Sequence, residues 1–381
     1  MSYTHIGRIL ENGETDPVVI SPGSKELRIR PEDDGLHITG FNRGDFEWWY
    51  FDLAEPALGI FLKIVLHIGT DPLRRRVFPQ LAISVNTPET TASITRSYSL
   101  DELHADTGRC SIKVRDEISI MSEDGTPELF RVKADVPGFK CEFGFTGTLE
   151  GWKPLGNAVS FSVGKKKGSF SWVVPLPAAK AGGTFTCEGQ EHTLDGATAY
   201  HDHNYFRVDR DHPLHLDELV TRWYWGKCYA GNHHVIFMDT WCRTKRLRSL
   251  MVARDQEIIY SGNNLLTCTV SATETDSVLH TDLPTGIHLE STDPEFRFRA
   301  DLDMIKMLDR KDLIGELHPV LKFLIKKLVS RPAYHGILTG VRMQIGATIL
   351  EGTGNFESMV FRSRQESWLF THLITAPRKV L

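Results

Sequence analysis

A histidine-rich segment carries the residue types most able to do acid–base chemistry. Seven of the sixteen histidines of the chain lie between positions 192 and 234, and the centre of this segment reads Tyr-His-Asp-His-Asn-Tyr from position 200 to 205. On a β-strand, alternate side chains point to opposite faces. We therefore expect one face to carry His201, His203 and Tyr205, and the other to carry Tyr200, Asp202 and Asn204. Buried histidine and aspartate must find partners, so one face is a polar network or a functional site.

Metal binding is the first chemistry that this spacing indicates. Two histidines one residue apart on a strand are good ligands for zinc or iron, as in the cupin pattern of Gly, His-x-His and then Glu. His201 and His203 fit that pattern, but Arg207 and Val208 occupy the place of the glutamate. A third ligand would have to come from His233, His234 or Asp239. We therefore expect no metal and no dissociable cofactor.

Proton transfer without a metal is the second chemistry. A histidine beside a carboxyl, walled by aromatic rings, can form a general acid whose pKa is shifted by its apolar surroundings. Protonating an alkene creates a carbocation, which aromatic faces stabilise while they exclude water. A strand tryptophan taken alone is more often part of a core, and Asp202 with His203 is alternatively a polar tie that orients a loop. The chain offers several aromatic walls: Trp48, Trp49, Trp223, Tyr224, Trp225 and Trp241.

The elements that must position these residues are mainly β-strands. Short apolar and aromatic runs, separated by Gly, Pro, Asn and Asp, recur along the chain at a spacing typical of sandwiches or barrels. The segment Asp303–Ser330 differs, because its leucines and isoleucines recur at helical intervals, which predicts an amphipathic helix. A chain of 381 residues favours two domains. We place their boundary near residue 195, which gives domains over 1–195 and 196–381.

Composition limits the classes of function. A net charge of −5 and a pI near 6.4 give no electrostatic reason to expect nucleic acid as a partner. No signal peptide and no apolar run of membrane-spanning length is apparent, so we expect a cytoplasmic protein. The six cysteines form no Cys-x-x-Cys pair, which favours free, buried thiols. The predicted helix also carries Lys322, Lys326 and Lys327. An alternative to a freely cytoplasmic protein is therefore that helix 312–329 contacts a membrane surface, and a further one is that it caps a substrate pocket.

Two motifs resemble those of a known family. The first is Glu-Trp-Trp-Tyr-Phe at 47–51. The second is Tyr-His-Asp-His-Asn at 200–204, followed by Arg-Trp-Tyr-Trp-Gly at 222–226. In order and spacing they are similar to the lipocalin-like family of carotenoid 1,2-hydratases (hydroxyneurosporene synthases) and AttH-type proteins. Its distant relatives include fungal decalin-forming Diels–Alderases, kievitone-hydratase-like enzymes and tocopherol cyclases.

The resemblance implies an all-β protein with two lipocalin-like domains and an apolar pocket. It also implies cofactor-free hydration or cyclisation of an isoprenoid or polyene in secondary metabolism. The proposed acid–base set of the hydratases maps onto His203, onto Tyr205 where those enzymes carry Trp, and onto Asp239. Phe237 stands where they carry Tyr and supplies no hydroxyl.

These considerations predict that His203, with Asp202 or Asp239, supplies the proton and that Tyr205 relays or orients it. Two alternatives remain: a pericyclase of a polyketide pathway, and a non-catalytic protein that binds a hydrophobic ligand. The residues predicted to contact the hydrophobic substrate are Trp48, Trp49, His201, Asn204, Trp223, Tyr224 and Trp225.

Overall fold

The computed structural model describes residues 18–21, 28–70, 77–156, 158–313 and 333–361. Within these residues the chain forms 22 strands and one α-helical turn, α1, at Leu216–Leu219. Strands β1 to β13 are Val18–Ser21, Phe46–Glu55, Ile60–Thr70, Val77–Asn86, Thr91–Ser97, Leu103–Ala105, Ser111–Val114, Ile118–Ser122, Leu129–Val136, Phe139–Gly147, Val159–Val163, Lys166–Cys187 and Gln190–Val208. Strands β14 to β22 are Val220–Ala230, His233–Cys242, Lys245–Arg254, Glu257–Asn263, Leu266–Thr275, Asp282–Ser291, Phe298–Asp312, Ala333–Ile345 and Thr348–Val360. Short 3-10 turns lie at Pro31–Asp34, Pro56–Leu58, Leu100–Glu102 and Glu123–Gly125.

The strands form two antiparallel sheets. The first sheet has the order β5-β4-β3-β2-β13-β12-β10-β9-β8-β7-β6, with β11 also pairing β12 and β1 pairing β11. The second sheet has the order β17-β16-β15-β14-β22-β21-β20-β19-β18. The predicted all-β, lipocalin-like fold class is confirmed.

The chain passes from the first sheet to the second between Val208 and Val220. Residue 195, where the sequence predicts the domain boundary, lies inside β13 of the first sheet. The Gly- and Ala-rich segment around it belongs to the paired strands β12 and β13. A larger side chain would collide with a neighbouring strand at one of these positions. At Gly183, with φ of +145°, a Cβ atom would lie 2.1 Å from the carbonyl oxygen of Glu142. The division into domains 1–195 and 196–381 stays a prediction.

Buried apolar side chains gather in three clusters. One is formed by side chains of the first sheet, including Trp49, Phe51 and Phe143. Another is formed by side chains of the second sheet, including Phe237, Ile337 and Phe356. The third lies between the sheets and takes side chains from both, including Tyr50, Trp172, Tyr200, Trp225 and Met238. This inter-sheet core holds the two sheets together and borders the candidate site.

The predicted helix over Asp303–Ser330 is wrong in its first part. Asp303–Asp312 continues β20 and pairs with β21 as far as the contact of Asp312 with Ala333. The strand begins with a period of two, in which Phe298, Ala300 and Leu302 are buried and their neighbours are exposed. Beyond Leu302 the alternation is lost, but the pairing with β21 continues through two register irregularities, between Met304 and Lys306 and between Met307 and Asp309. Residues 314–332, with the rest of the predicted helix and its lysines, lie outside the described residues.

Two other sequence-based expectations can be compared with the structure. All six cysteines are buried and free, as predicted. In the part of the chain that the structure describes, no helix has the length and apolar character required to cross a membrane.

Candidate active site

Strands β2 and β13 lie side by side and carry the two sequence motifs. Their register sets Asp202 opposite Tyr50 and His203 opposite Trp49. Because side chains alternate along a strand, Asp202 and Tyr50 face the second sheet, whereas His203 and Trp49 face the interior of the first. The predicted division of the histidine-rich segment between two faces is confirmed.

An apolar cavity of about 90 Å³ lies between the sheets, and we call it the inter-sheet cavity. Aromatic and aliphatic side chains from both sheets form most of its wall. Four of the predicted substrate contacts line it: Trp48, Asn204, Trp223 and Trp225. An apolar cavity with a few convergent polar groups is the usual form of a small-molecule site. The acidic side chains that line this one are Asp202 and Glu357.

Asp202 presents a buried carboxyl group to this cavity. One oxygen accepts hydrogen bonds from the Tyr200 hydroxyl at 2.8 Å and the Trp172 indole at 3.0 Å, and the other accepts one from the Asn204 amide at 2.9 Å. Burial nevertheless dominates and raises the pKa of Asp202 to about 7, because the apolar surroundings penalise the carboxylate more than these neutral donors stabilise it. Such a group can be an acid at neutral pH.

Glu357, on β22, reaches the same cavity from the second sheet. It accepts a hydrogen bond from the hydroxyl of Tyr334 at 2.5 Å, and Lys63 lies 3.9 Å away. The Tyr50 hydroxyl lies 3.4 Å from Glu357 but closer to Asp52, at 3.0 Å. Burial raises the pKa of Glu357, and Lys63 and Tyr334 oppose that shift. Two carboxyl groups, one from each sheet, therefore border one apolar cavity.

A second cavity of about 110 Å³ lies on the other side of Tyr50 and Glu357, which line both. Its wall carries two ion pairs: Lys63 with Asp309 at 2.8 Å, and Lys227 with Asp52. Burial lowers the pKa of Lys227, since the low-polarity surroundings disfavour its ammonium form. Both ion pairs join the first sheet to the second. Removing such charges from water carries a desolvation cost, so the charged wall of this cavity distinguishes it from the apolar inter-sheet cavity.

The two histidines of the motif lie on the far side of β13. His203 has Nε2 at 2.9 Å from Glu47 and Nδ1 at 3.3 Å from the carbonyl oxygen of Asp33. His201 has Nε2 at 3.0 Å from Asp34, and its ring stacks on Phe51. Both rings are completely buried. The structure therefore does not bring His203 together with Asp202 in one site, since adjacent residues of a strand face opposite ways.

The remaining predicted residues also lie away from the inter-sheet cavity. Asp239, on β15, is buried in an ion pair with Arg246, and burial raises its pKa. Tyr205 stacks on His37 with the ring centroids 4.2 Å apart. Trp49 stacks on His203, and Tyr224 packs against Trp241 within the second sheet. Of the four predicted catalytic residues, the structure places only Asp202 at the cavity.

Among the residues that the structure describes, two groups of side chains have the composition and spacing to hold a metal ion: Asp34 with Cys110 and His201, and His37 with Glu47 and His203. Both lie on the face of β13 away from the cavity. In each, a carboxylate is already paired with a histidine at 2.9–3.0 Å. Burial raises the pKa of Cys110 well above its ordinary value, which disfavours the thiolate that binds metals. We assign no metal to either group, and a metal-free protein stays a prediction.

No protein-family model matches the chain, and no curated protein sequence does. Solved structures match it in fold. A Nitrosomonas europaea protein assigned to AttH superposes with a TM-score of 0.62 at 11% identity, over 90% of this chain and 100% of its own. CghA with Sch210972 gives 0.57 at 12% identity, over 91% and 99%. Kievitone hydratase from Nectria haematococca gives 0.51 at 12% identity, over 88% and 98%.

The chain shares the fold of these proteins. The resemblance to the AttH and hydratase family, inferred from two motifs, is confirmed at the level of the fold. At 11–12% identity this likeness establishes the architecture.

Several residues of the site escaped the sequence analysis. Lys63 and Lys227 are each flanked by uncharged, mainly apolar strand residues, and that pattern could have drawn attention to them. Trp172 and Glu357 carry no comparable signal, because Trp172 begins a continuous apolar run and Glu357 is an acidic residue in a strand of mixed polarity. Only the packing of the second sheet on the first places Glu357 beside the motif residues.

Proposed function

We propose that the protein is an enzyme of secondary metabolism that acts without a dissociable cofactor on a hydrophobic unsaturated substrate, by acid-assisted hydration or cyclisation. The observation that carries this proposal is the carboxyl group of Asp202, held by three hydrogen bonds in the aromatic wall of the inter-sheet cavity. Two proteins of the same fold support it by their names: one is a kievitone hydratase, and the other, CghA, was crystallised with Sch210972.

In this proposal Asp202 donates its proton to one carbon of an alkene, and positive charge develops on the other. The faces of Trp48, Trp223 and Trp225 stabilise that charge. In a hydration, water adds to the cation and then loses a proton. In a cyclisation, a second alkene closes the ring and a C–H proton is lost. The sequence analysis assigned the proton to His203 together with Asp202 or Asp239. In this proposal Asp202 alone is the acid, because it is the one of these three residues that faces the cavity.

The size of the cavity limits how the substrate enters. Its 90 Å³ is smaller than the roughly 150 Å³ that holds a benzene molecule in an engineered protein cavity. Trp48 and Trp223 are only partly buried and line the cavity. A polyene would therefore place its reacting alkene beside Asp202 and extend past these two rings.

Two other functions are consistent with parts of the site. A pericyclase requires shape and a hydrogen-bond donor to a carbonyl group, and Asn204 lines the cavity with a side-chain amide that has a second N–H beyond the one it donates to Asp202. A non-catalytic carrier requires only the apolar wall. Neither function depends on a protonated carboxyl group at position 202.

The test is turnover of a panel of isoprenoid alcohols and linear polyenes, with products identified by mass spectrometry. Asp202→Asn keeps the size of the side chain and removes the acid, so we expect turnover to fall roughly 10²–10⁴-fold. The control Asp135→Asn changes a carboxylate that is 61% exposed and should leave turnover unchanged. Full activity of Asp202→Asn would favour the pericyclase, and binding without turnover by the unmodified protein would favour the carrier.

A further inference from the structure

Glu357 shares the inter-sheet cavity with Asp202 but comes from the other sheet. On β22 it lies opposite Trp225 of β14 and Gly336 of β21. Its side chain points towards the first sheet and borders both cavities. The mechanism proposed above uses Asp202 as the acid and leaves Glu357 without a role.

The hydrogen bonds around Glu357 have a fixed direction. Lys63 donates to the hydroxyl oxygen of Tyr334 at 2.7 Å, because an ammonium group has no acceptor. The Tyr334 hydroxyl hydrogen is therefore free to point to Glu357, 2.5 Å away. Donors that converge on a carboxyl group favour its ionised form, and Lys63 at 3.9 Å adds a positive charge. Burial raises the pKa of Glu357, as it does that of Asp202, but the charge of Lys63 and the Tyr334 hydroxyl oppose this shift and stabilise the carboxylate.

Asp202 differs from Glu357 in its surroundings. Its three hydrogen-bond donors are neutral groups, and the negative charge of Glu357 adds to the burial that raises its pKa. Like charges that border one apolar space disfavour simultaneous ionisation. When two carboxyl groups experience such different environments, the protonated one is the acid and the ionised one is the base.

We propose that Glu357 is a second catalytic residue, the base that completes the acid–base pair with Asp202. This inference rests on the proposed function. Asp202 gives its proton to one alkene carbon, and the π electrons form the new C–H bond and leave a cation on the other carbon. The oxygen of water then forms a C–O bond with that cation, and Glu357 accepts the proton that water releases. In a cyclisation, Glu357 accepts the C–H proton whose bonding pair becomes the new alkene. One proton is given and one is taken, so no oxidant or reductant is needed.

A cationic mimic tests this pair without knowledge of the natural substrate. The probes are N,N-dimethyldodecylamine, which is protonated at pH 6, and the neutral 2-methyltetradecane, which has a similar shape. We expect the unmodified protein to bind the ammonium probe more tightly than the hydrocarbon. Glu357→Gln should reduce affinity for the ammonium probe at least about tenfold and leave the hydrocarbon unchanged. Asp202→Asn should keep the preference, because Asp202 is the protonated member.

The controls separate this inference from the proposed function. Glu290→Gln, which changes a carboxylate that is 40% exposed beside Arg299, should bind both probes normally. Should Glu357→Gln fold poorly, Tyr334→Phe removes a donor to the carboxylate and should weaken binding of the ammonium probe alone. Loss of the preference in Asp202→Asn, or its retention in Glu357→Gln, would overturn the assignment of the base. Failure of the unmodified protein to bind either probe would instead contradict the proposed apolar substrate site.

Discussion

Replacing Asp202 by asparagine should change how the stability of the protein depends on pH. Asp202 has a pKa of about 7 in the folded protein, against 3.8 for an ordinary aspartate. Between these values the folded protein holds a proton that the unfolded chain has lost. Stability from this group is therefore fully present below pH 4 and decreases as the pH rises through 7. At 1.36 kcal/mol for each pKa unit, the loss between pH 5 and pH 8 is about 3 kcal/mol.

The assay is urea-induced unfolding at pH 5 and pH 8 for the unmodified protein, Asp202→Asn and the surface control Asp135→Asn. An asparagine does not titrate, so the free energy of unfolding of Asp202→Asn should lack this decrease of about 3 kcal/mol. Titrating groups distant from position 202 contribute equally to the unmodified protein and to Asp202→Asn, and they cancel in the difference between the two. Parallel profiles for Asp202→Asn and the unmodified protein would refute the reasoning. Such parallel profiles would mean that Asp202 is ionised in the folded protein at both pH values.

Three further perturbations test the packing around the site. His203→Ala leaves the buried carboxylate of Glu47 without its partner, so the free energy of unfolding should fall by roughly 3–5 kcal/mol, measured in urea. Lys227→Met should destabilise the protein by a similar amount for the same reason, whereas the double variant with Asp52→Leu should recover much of that loss. Trp223→Ala removes one aromatic wall of the cavity, and the Michaelis constant should rise by about tenfold, the equivalent of 1.4 kcal/mol of apolar contact.

The sequence predicted the β architecture well because its signals are local. The alternation of the histidine-rich strand and the positions of most strands follow from apolar periodicity and turn residues. The segment Asp303–Asp312 was misassigned because two register irregularities, at Met304–Lys306 and Met307–Asp309, interrupt the alternation that marks the start of the strand. The boundary predicted near residue 195 stays a prediction. It rests on small residues that resemble a linker, and in the structure the glycine at position 183 allows close contact between paired strands.

The candidate site could be predicted only in part. The aromatic residues Trp48, Trp223 and Trp225 and the carboxyl of Asp202 were all named from the two motifs. The motif itself does not show which face of β13 meets the second sheet, and that choice separates Asp202 from His203. Glu357 is more than 150 positions away from either residue in the sequence. Only tertiary packing brings it to the same cavity.

The resulting site is assembled from both sheets. Asp202 and Tyr50 come from the first sheet, and Trp225 and Glu357 come from the second. Both carboxyl groups lie on strands rather than on loops: Glu357 is paired with β14 and β21, and Asp202 is paired with β2. Such preorganisation means that little reorganisation is required when positive charge develops in the cavity. The ion pair of Lys227 with Asp52, which joins the two sheets, stabilises this arrangement.

The most direct test of the account is to run the reaction in deuterium oxide with a substrate that the panel identifies. If Asp202 protonates an alkene, the product carries one deuterium bound to carbon, at the position that receives the proton. Asp202→Asn should form roughly 10²–10⁴-fold less of this labelled product. A product that forms at the full rate with no deuterium on carbon would contradict acid-assisted chemistry at Asp202 and would indicate a pericyclic reaction instead.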